Sequence, residues 1–220
     1  MRISKRLKSI GDLVSNDSFI LDVGCDHALL DIYVSLNKNC RAIASDINEK
    51  PLRIATSNVN KYNLSNKIKI VCADGLSSYD KEVDTIVLSG LGSTTIVDIL
   101  KKDEKVLSNI SKLIVSSNND YYYLRSEICK LGFKINREVI VFEKGKYYPI
   151  IEFILGKSSY NYYELKYGPE LLKEKDDVFI NYIALNKNKL IKIYDSLGFK
   201  YIIKKIIIKK EIKYIDKYLN

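Results

Sequence analysis

Histidine occurs once in these 220 residues, at His27, and tryptophan does not occur at all. A single imidazole excludes a histidine-based metal cluster and leaves no spare base for a Ser-His-Asp triad. The four cysteines, Cys25, Cys40, Cys72 and Cys129, lie far apart and form no CxxC pair. Neither a zinc site nor a disulfide framework is expected, and a reducing compartment fits. No apolar run approaches membrane-spanning length. Arg2, Lys5, Arg6 and Lys8 open the chain without the apolar core of a signal peptide behind them. A cytoplasmic, monomeric protein with neither membrane nor metal is the expectation. Acids are outnumbered, 27 Asp and Glu against 36 Lys and Arg, for a formal net charge of +9. That surplus suits a polyanionic partner, nucleic acid first, or else reflects a lysine-rich proteome.

What is present is an alternation of strand-like and helical patterns. Ile3, Leu7, Ile10 and Val14 share one helical face. Strand-like runs recur at Phe19–Val23, Cys40–Ser45, Ile68–Cys72, Thr85–Leu88 and Leu113–Ser116, with helical patterns such as Glu49–Tyr62 and Tyr121–Leu131 between them. This predicts an α/β fold, a parallel Rossmann-like sheet with helices on both faces. Arg137–Phe142 and Tyr148–Leu155, separated by Glu143-Lys-Gly-Lys146, predict an antiparallel hairpin at the sheet edge. From Gly168-Pro169 onward glycine nearly disappears. Leu172, Phe179, Ile183, Leu190, Ile193 and Leu197 fit one heptad seam, interrupted by Asp176 and Asn186. Beyond Gly198, Tyr201, Ile208, Ile212, Ile215 and Leu219 resume it, with Lys205 off pattern. Two helices joined near Gly198 predict an antiparallel hairpin. The division expected is a catalytic domain over residues 1–160 and a helical coiled-coil domain over 161–220.

The chemistry is concentrated at the ends of the predicted strands. Phe19-Ile-Leu-Asp-Val-Gly-Cys-Asp-His27 ends a buried strand on glycine and acid, where open α/β sheets bind nucleotides. The loop has only Gly24 and lacks the G-x-G-x-x-G that lets a pyrophosphate approach the backbone. Asp26 suits a cationic ligand instead, such as the sulfonium and amino group of S-adenosylmethionine. Asp46, about twenty residues on, can accept both ribose hydroxyls. Asp74-Gly75 can meet adenine. Alternatively, each acid caps the helix that follows it. Ser89-Gly-Leu-Gly92 follows the fourth strand, where glycines would admit a flat base, or it is a plain turn before a helix. The chain has no Asn-Pro-Pro-Tyr or Asp-Pro-Pro-Tyr clamp for an exocyclic amine, which tilts the reaction towards a ring nitrogen. His27 either contacts the ligands or packs at a helix start. The α-helical C-terminus concentrates Lys204, Lys205, Lys209, Lys210, Lys213 and Lys217, a solvated face or an RNA-facing one.

These segments together resemble the bacterial TrmK family, the tRNA (adenine(22)-N(1))-methyltransferases, over nearly the whole chain. Ile3-Ser-Lys-Arg-Leu7 is similar to the family's opening helix. Asp22-Val-Gly-Cys-Asp-His-Ala28 is similar to its Gly-Ser-Asp-His-Ala pattern, and Ser89-Gly-Leu-Gly92 to its Ala-Gly-Met-Gly loop. Asn118 stands where a Gln-Pro-Asn motif ends, and Gly168-Pro169 where the family's domains meet. Ser116-Ser117 replaces Gln-Pro, and Pro149 replaces an acid after tyrosine. The resemblance implies a class I methyltransferase with S-adenosyl-L-methionine as cofactor and whole folded tRNA as partner. By matching position, Gly24, Asp26, His27, Asp46, Ile47, Asp74, Gly75, Ser89, Gly90, Leu91 and Gly92 would bind the cofactor. Lys5, Arg6, Asn118 and Tyr148 would bind tRNA, and Asp26 is the catalytic candidate. Two alternatives are a small-molecule methyltransferase of the same fold and a tRNA-binding protein that has lost catalysis. The first would act without tRNA and show little salt dependence. The second would bind no methyl donor.

Overall fold

The computed structural model describes residues 3–219; Met1, Arg2 of the basic opening and Asn220 lie outside the described residues. Helix α1 (Lys5–Leu13) starts at Ser4, whose Oγ accepts from the Leu7 N–H at 3.1 Å, and it buries Ile10 and Leu13. Then come β1 (Phe19–Val23), α2 (Leu29–Lys38), β2 (Arg41–Asp46), α3 (Glu49–Lys61), β3 (Ile68–Cys72) and β4 (Thr85–Ser89). They are followed by α4 (Ser93–Lys102), α5 (Glu104–Leu107), β5 (Lys112–Ser116), α6 (Tyr121–Lys130), β6 (Phe133–Glu143) and β7 (Lys146–Leu155). The seven strands form one sheet in the order β3-β2-β1-β4-β5-β7-β6. β1 to β5 run parallel, while β7 is antiparallel to both its neighbours.

Side chains on a strand alternate between faces, so each strand feeds two cores. Ile20, Ala42, Val87 and Ile114 pack under α1, α2 and α3 with Ile10, Ile32 and Val59. Leu21, Ile43, Ile86 and Leu113 pack under α4 and α6 with Ile96, Leu100, Leu124 and Ile128. The edge hairpin turns at Lys144-Gly145, with φ of 49° and 79°, the pair of left-handed residues that a tight two-residue turn requires. Its first strand starts at Phe133, earlier than the predicted Arg137, because a bulge between Ile135 and Arg137 breaks the apolar alternation there.

The helical region comprises α7 (Tyr162–Tyr167), α8 (Pro169–Glu174), α9 (Asp177–Ser196) and α10 (Ile202–Leu219). α9 and α10 form the antiparallel hairpin expected around Gly198: Lys187 Nζ pairs with Asp216 at 2.6 Å, and Lys205 Nζ stands 5.0 Å from the Tyr194 ring near the turn. The single heptad seam is corrected in two places. Leu172 belongs to α8, because Lys175 turns left-handed at φ 51° and Asp176 caps a new helix through the Phe179 N–H at 2.7 Å. On α10 the buried positions are Ile208, Glu211 and Ile215, while Ile193 of α9 is exposed. Glu211 sits there because Lys166 Nζ and the Tyr167 hydroxyl on α7 satisfy it, the lysine at 2.6 Å. Of the predicted basic face, Lys204, Lys209, Lys210, Lys213 and Lys217 are exposed and Lys205 is half-buried.

A buried ion pair locks α7 and α8 to the sheet. Arg125 on α6 and Glu138 on β6 meet at 2.7 Å with almost no exposure. Arg125 Nη1 donates to the carbonyls of Leu165 and Lys166, at 2.9 and 3.3 Å, at the end of α7. Glu138 Oε2 accepts from the Glu170 N–H at 3.0 Å in the first turn of α8. The pair thus satisfies orphan groups of two helix ends at once. Gly168 lies between them at φ 99°, and a Cβ there would stand 2.5 Å from Glu138 Oε2. Only glycine meets both constraints.

Candidate active site

The order of strands reverses between β1 and β4, and the crevice outside their carboxyl ends is where open α/β sheets bind ligands. Here it is a cleft of about 280 Å³ lined by Arg6 and Leu7 of α1, Asp22 of β1, residues 24–27, Leu29 and Leu30, Asp46, and Ser89 to Leu91. The structure therefore brings Arg6, Gly24, Asp26, His27, Asp46, Ser89, Gly90 and Leu91 of the sequence-derived candidates to one place. Asp22, Cys25 and Leu7 join them, and pattern reading passed these over because each looks like ordinary strand, turn or helix core.

The turn after β1 is tight. Gly24 and Cys25 N–H groups both donate to the Ser45 carbonyl, at 2.8 and 3.0 Å, tying the turn to β2. Gly24, Asp26 and Ala28 are left-handed at φ 77°, 52° and 56°. Alternating left-handed residues reverse the chain within one turn and start α2 at once. Asn58 of α3 holds the turn by donating Nδ2 to the His27 carbonyl at 3.0 Å. Asp26 is left solvent-facing, with 76% of its side chain exposed; its ion-pair partner among the described residues is His27 Nε2, at 3.5 Å. Cys25 is buried, and burial with four surrounding carboxyls pushes its thiol far up, so it is neutral and inert.

Asp46 ends β2. Its Oδ1 accepts from the Asn48 backbone at 2.8 Å and from Asn48 Nδ2 at 3.3 Å, which orients the carboxylate at the cleft wall. Ile47 beside it is 65% exposed. Asp74 and Gly75 stand at the end of β3 outside the lining of the cleft, and Asp74 Oδ2 accepts from Lys102 Nζ of α4 at 2.7 Å.

The loop after β4 is built by its neighbours. Gly90 is left-handed at φ 79°, and its N–H donates to the Ser116 carbonyl at 3.0 Å. Asn118 Nδ2 donates to the Gly90 carbonyl at 2.6 Å and its backbone N–H to the Leu91 carbonyl at 2.9 Å. Gly92 begins α4 without a side-chain cap; Asn119 Oδ1 accepts from the Ser93 N–H at 2.9 Å in its place. Arg6 closes the arrangement, its guanidinium 3.6 Å from where a Gly90 Cβ would point and 5.1 Å from the Tyr148 ring. Three of the proposed substrate residues, Arg6, Asn118 and Tyr148, thus gather around one loop. The fourth, Lys5, is exposed on α1, where its backbone N–H meets Glu143 Oε1 at 2.8 Å.

The acidic, pyrophosphate-unfriendly turn fits a cationic nucleoside cofactor. Fold and site define a Rossmann-like methyltransferase. A family model described as a methyltransferase domain matches residues 3–151. The tRNA (adenine(22)-N(1))-methyltransferase of Bacillus subtilis is 30% identical over 206 residues, covering 90% of this chain and 87% of that one. The structure of M. capricolum TrmK in complex with the natural cofactor product S-adenosyl-homocysteine superposes with a TM-score of 0.84 at 33% identity, covering 100% of this chain and 98% of that one. The B. subtilis M1A22 tRNA methyltransferase TrmK superposes at 0.87 with 26% identity, covering 100% and 99%. The chain belongs to the tRNA (adenine(22)-N(1))-methyltransferase family. Among the described residues no group of three or more His, Cys, Asp or Glu could hold a metal ion, and no helix is long and apolar enough to cross a membrane.

Proposed function

We propose that this chain methylates N1 of adenine at position 22 of tRNA, using S-adenosyl-L-methionine, in the cytoplasm where tRNA resides. The observation that carries the reading is the convergence of Asp26, Asp46 and the Ser89–Leu91 loop on one cleft, with Arg6 beside it, in a member of this family. S-adenosylmethionine supplies an electrophilic methyl group on a sulfonium centre. Asp46 would hold the ribose, and the turn from Gly24 to His27 the amino-acid end. The Ser89–Gly92 loop, held open by Asn118, would admit the adenine edge. Ile47, Asp74 and Gly75 would complete the adenosine side at the outer strand ends.

Neutral adenine carries its N1 lone pair in the ring plane, so no residue has to remove a proton before attack. The work left to the chain is positioning the acceptor in line with the methyl group and accommodating a cationic product. Asp26 can do the latter, because it is exposed at the cleft and, among the described residues, no lysine or arginine stands within ion-pair distance of it. The target base is buried by pairing or stacking in folded tRNA and has to be extruded to arrive there. Arg6, 5.1 Å from the Tyr148 ring, offers a cation and a ring at that entrance, and exposed Lys5 on the same helix would add a cation for the phosphates.

Asp26→Ala is expected to lower kcat/KM for unmodified tRNA by about 100-fold, the effect of losing one electrostatic contact to developing charge. Steady-state kinetics with calorimetry of S-adenosylhomocysteine separates its two possible roles. A fall in kcat at unchanged affinity assigns it to the base; a parallel loss of affinity assigns it to the donor. Full turnover with unchanged affinity contradicts both.

A further inference from the structure

Asp22 and Asp31 face each other inside the fold, one on β1 and the other in the first turn of α2. Asp31 is fully buried and Asp22 is 4% exposed. Neither Asp31 side-chain oxygen makes a well-aligned hydrogen bond among the described residues; the groups beside the carboxyl are its own backbone N–H, at poor geometry, and the Asp22 carboxyl. Two facing carboxyls away from water cannot both be charged without large cost, and a proton kept between them supplies the missing donor. Burial, then repulsion from Asp31, holds Asp22 well above the usual carboxylate range. Burial also pushes Asp31 up to about 7. Asp22 reaches the cleft lining, whereas Asp31 does not.

We propose that Asp31 is a positioning residue for the methyl donor: it shares one proton with Asp22, so that the pair holds a single negative charge beside the donor's ammonium group. This rests on the reading of the cleft as the donor site. A cation arriving at Asp22 weakens the pair's hold on its proton, so donor binding near neutral pH releases part of that proton. As pH rises and the pair loses it, attraction for the ammonium grows. The other ionisable groups around the pair are Cys25, Asp26 and His27 on the turn, Asp46 on β2 and Arg6 on α1.

The test compares the affinity of the wild-type protein and Asp31→Asn for S-adenosylhomocysteine by calorimetry, from about pH 6 to about pH 8.5. The amide donates to Asp22 at every pH, so the variant keeps one charge without a titrating partner. Taking the ratio of the two affinities cancels the titration of the ligand's amine and of the groups both proteins share. The ratio of wild-type to variant affinity is expected to rise about threefold or more over that range. A flat ratio with binding in both proteins overturns the proposal and leaves Asp31 a packing residue. No binding by either protein overturns the donor-site reading, and the proposal with it. A second measurement needs no variant: wild-type calorimetry near neutral pH in two buffers of unlike ionisation enthalpy is expected to show proton release, and its absence overturns the proposal.

The same pair gives stability a pH dependence whose sign is fixed. A carboxyl raised from its ordinary 3.8 to about 7 holds a proton in the fold that the unfolded chain has lost. Its contribution is complete below the ordinary value and disappears as pH rises through about 7. Asp31→Asn is therefore expected to gain in melting temperature relative to wild type above neutrality, a readout that packing alone would not make pH-dependent.

Discussion

Replacing Glu138 with alanine is expected to cost the fold about 3–5 kcal/mol, the range found when one partner of a buried pair is removed. The carboxylate and Arg125 are essentially unexposed, so the guanidinium left behind would have no water to turn to. The loss would not stop at the pair. Glu138 also receives the Glu170 N–H of α8, and Arg125 holds the last carbonyls of α7. The joint at Gly168, where two helix ends meet without side-chain room, would lose the groups that satisfy it. Urea denaturation of the wild-type protein and of Glu138→Ala measures this. A loss below about 1 kcal/mol would mean that the joint is held by apolar packing around Tyr167, Leu171 and Phe179 alone.

Asp46→Ala is expected to weaken S-adenosylhomocysteine binding by about 100-fold. The proposed role is to accept both ribose hydroxyls, and two hydrogen bonds to a charged group contribute at least about 1.5 kcal/mol each. Asn48 already fixes the carboxylate's orientation through two contacts to Oδ1, so the site is pre-organised and the ligand need not order it. Asp46 lies at a strand end and is half-buried, so its removal should leave the melting temperature nearly unchanged. Calorimetry showing less than about a threefold change would contradict the assignment.

Much of this arrangement was readable in the order of residues, and the exceptions have physical causes. β1 begins and ends where its apolar run does, because a strand buried on both faces has no reason to alternate; β3, the edge strand with Lys69 and Cys72 exposed, keeps its predicted bounds as well. The Asp22-Val-Gly-Cys-Asp-His-Ala28 turn was legible because left-handed backbone admits few residue types, and glycine at position 24 signals it. The break between α8 and α9 was not. Helical periodicity continues through Leu172 and Asp176, and the left-handed Lys175 that interrupts it carries no compositional mark. Glu211 was hidden for a related reason, since a charged residue in a seam reads as surface until its partners on α7 are placed. Asp22 and Asp31 were passed over, because a lone acid in a strand and another in a helix's first turn carry no mark of each other, and their pairing depends on the packing of α2 against the sheet. Arg6, Asn118 and Tyr148 come from three distant segments, and only the fold shows them around one loop.

The central claim is the identity of the methylated atom. Incubating the protein with labelled S-adenosylmethionine and unmodified tRNA, digesting the product and resolving the nucleosides tests it most directly. Label is expected in 1-methyladenosine, lost when adenine 22 of the tRNA is replaced by guanine, with no transfer to free adenosine. Label in any other nucleoside, or equal transfer to a small molecule without tRNA, would contradict it.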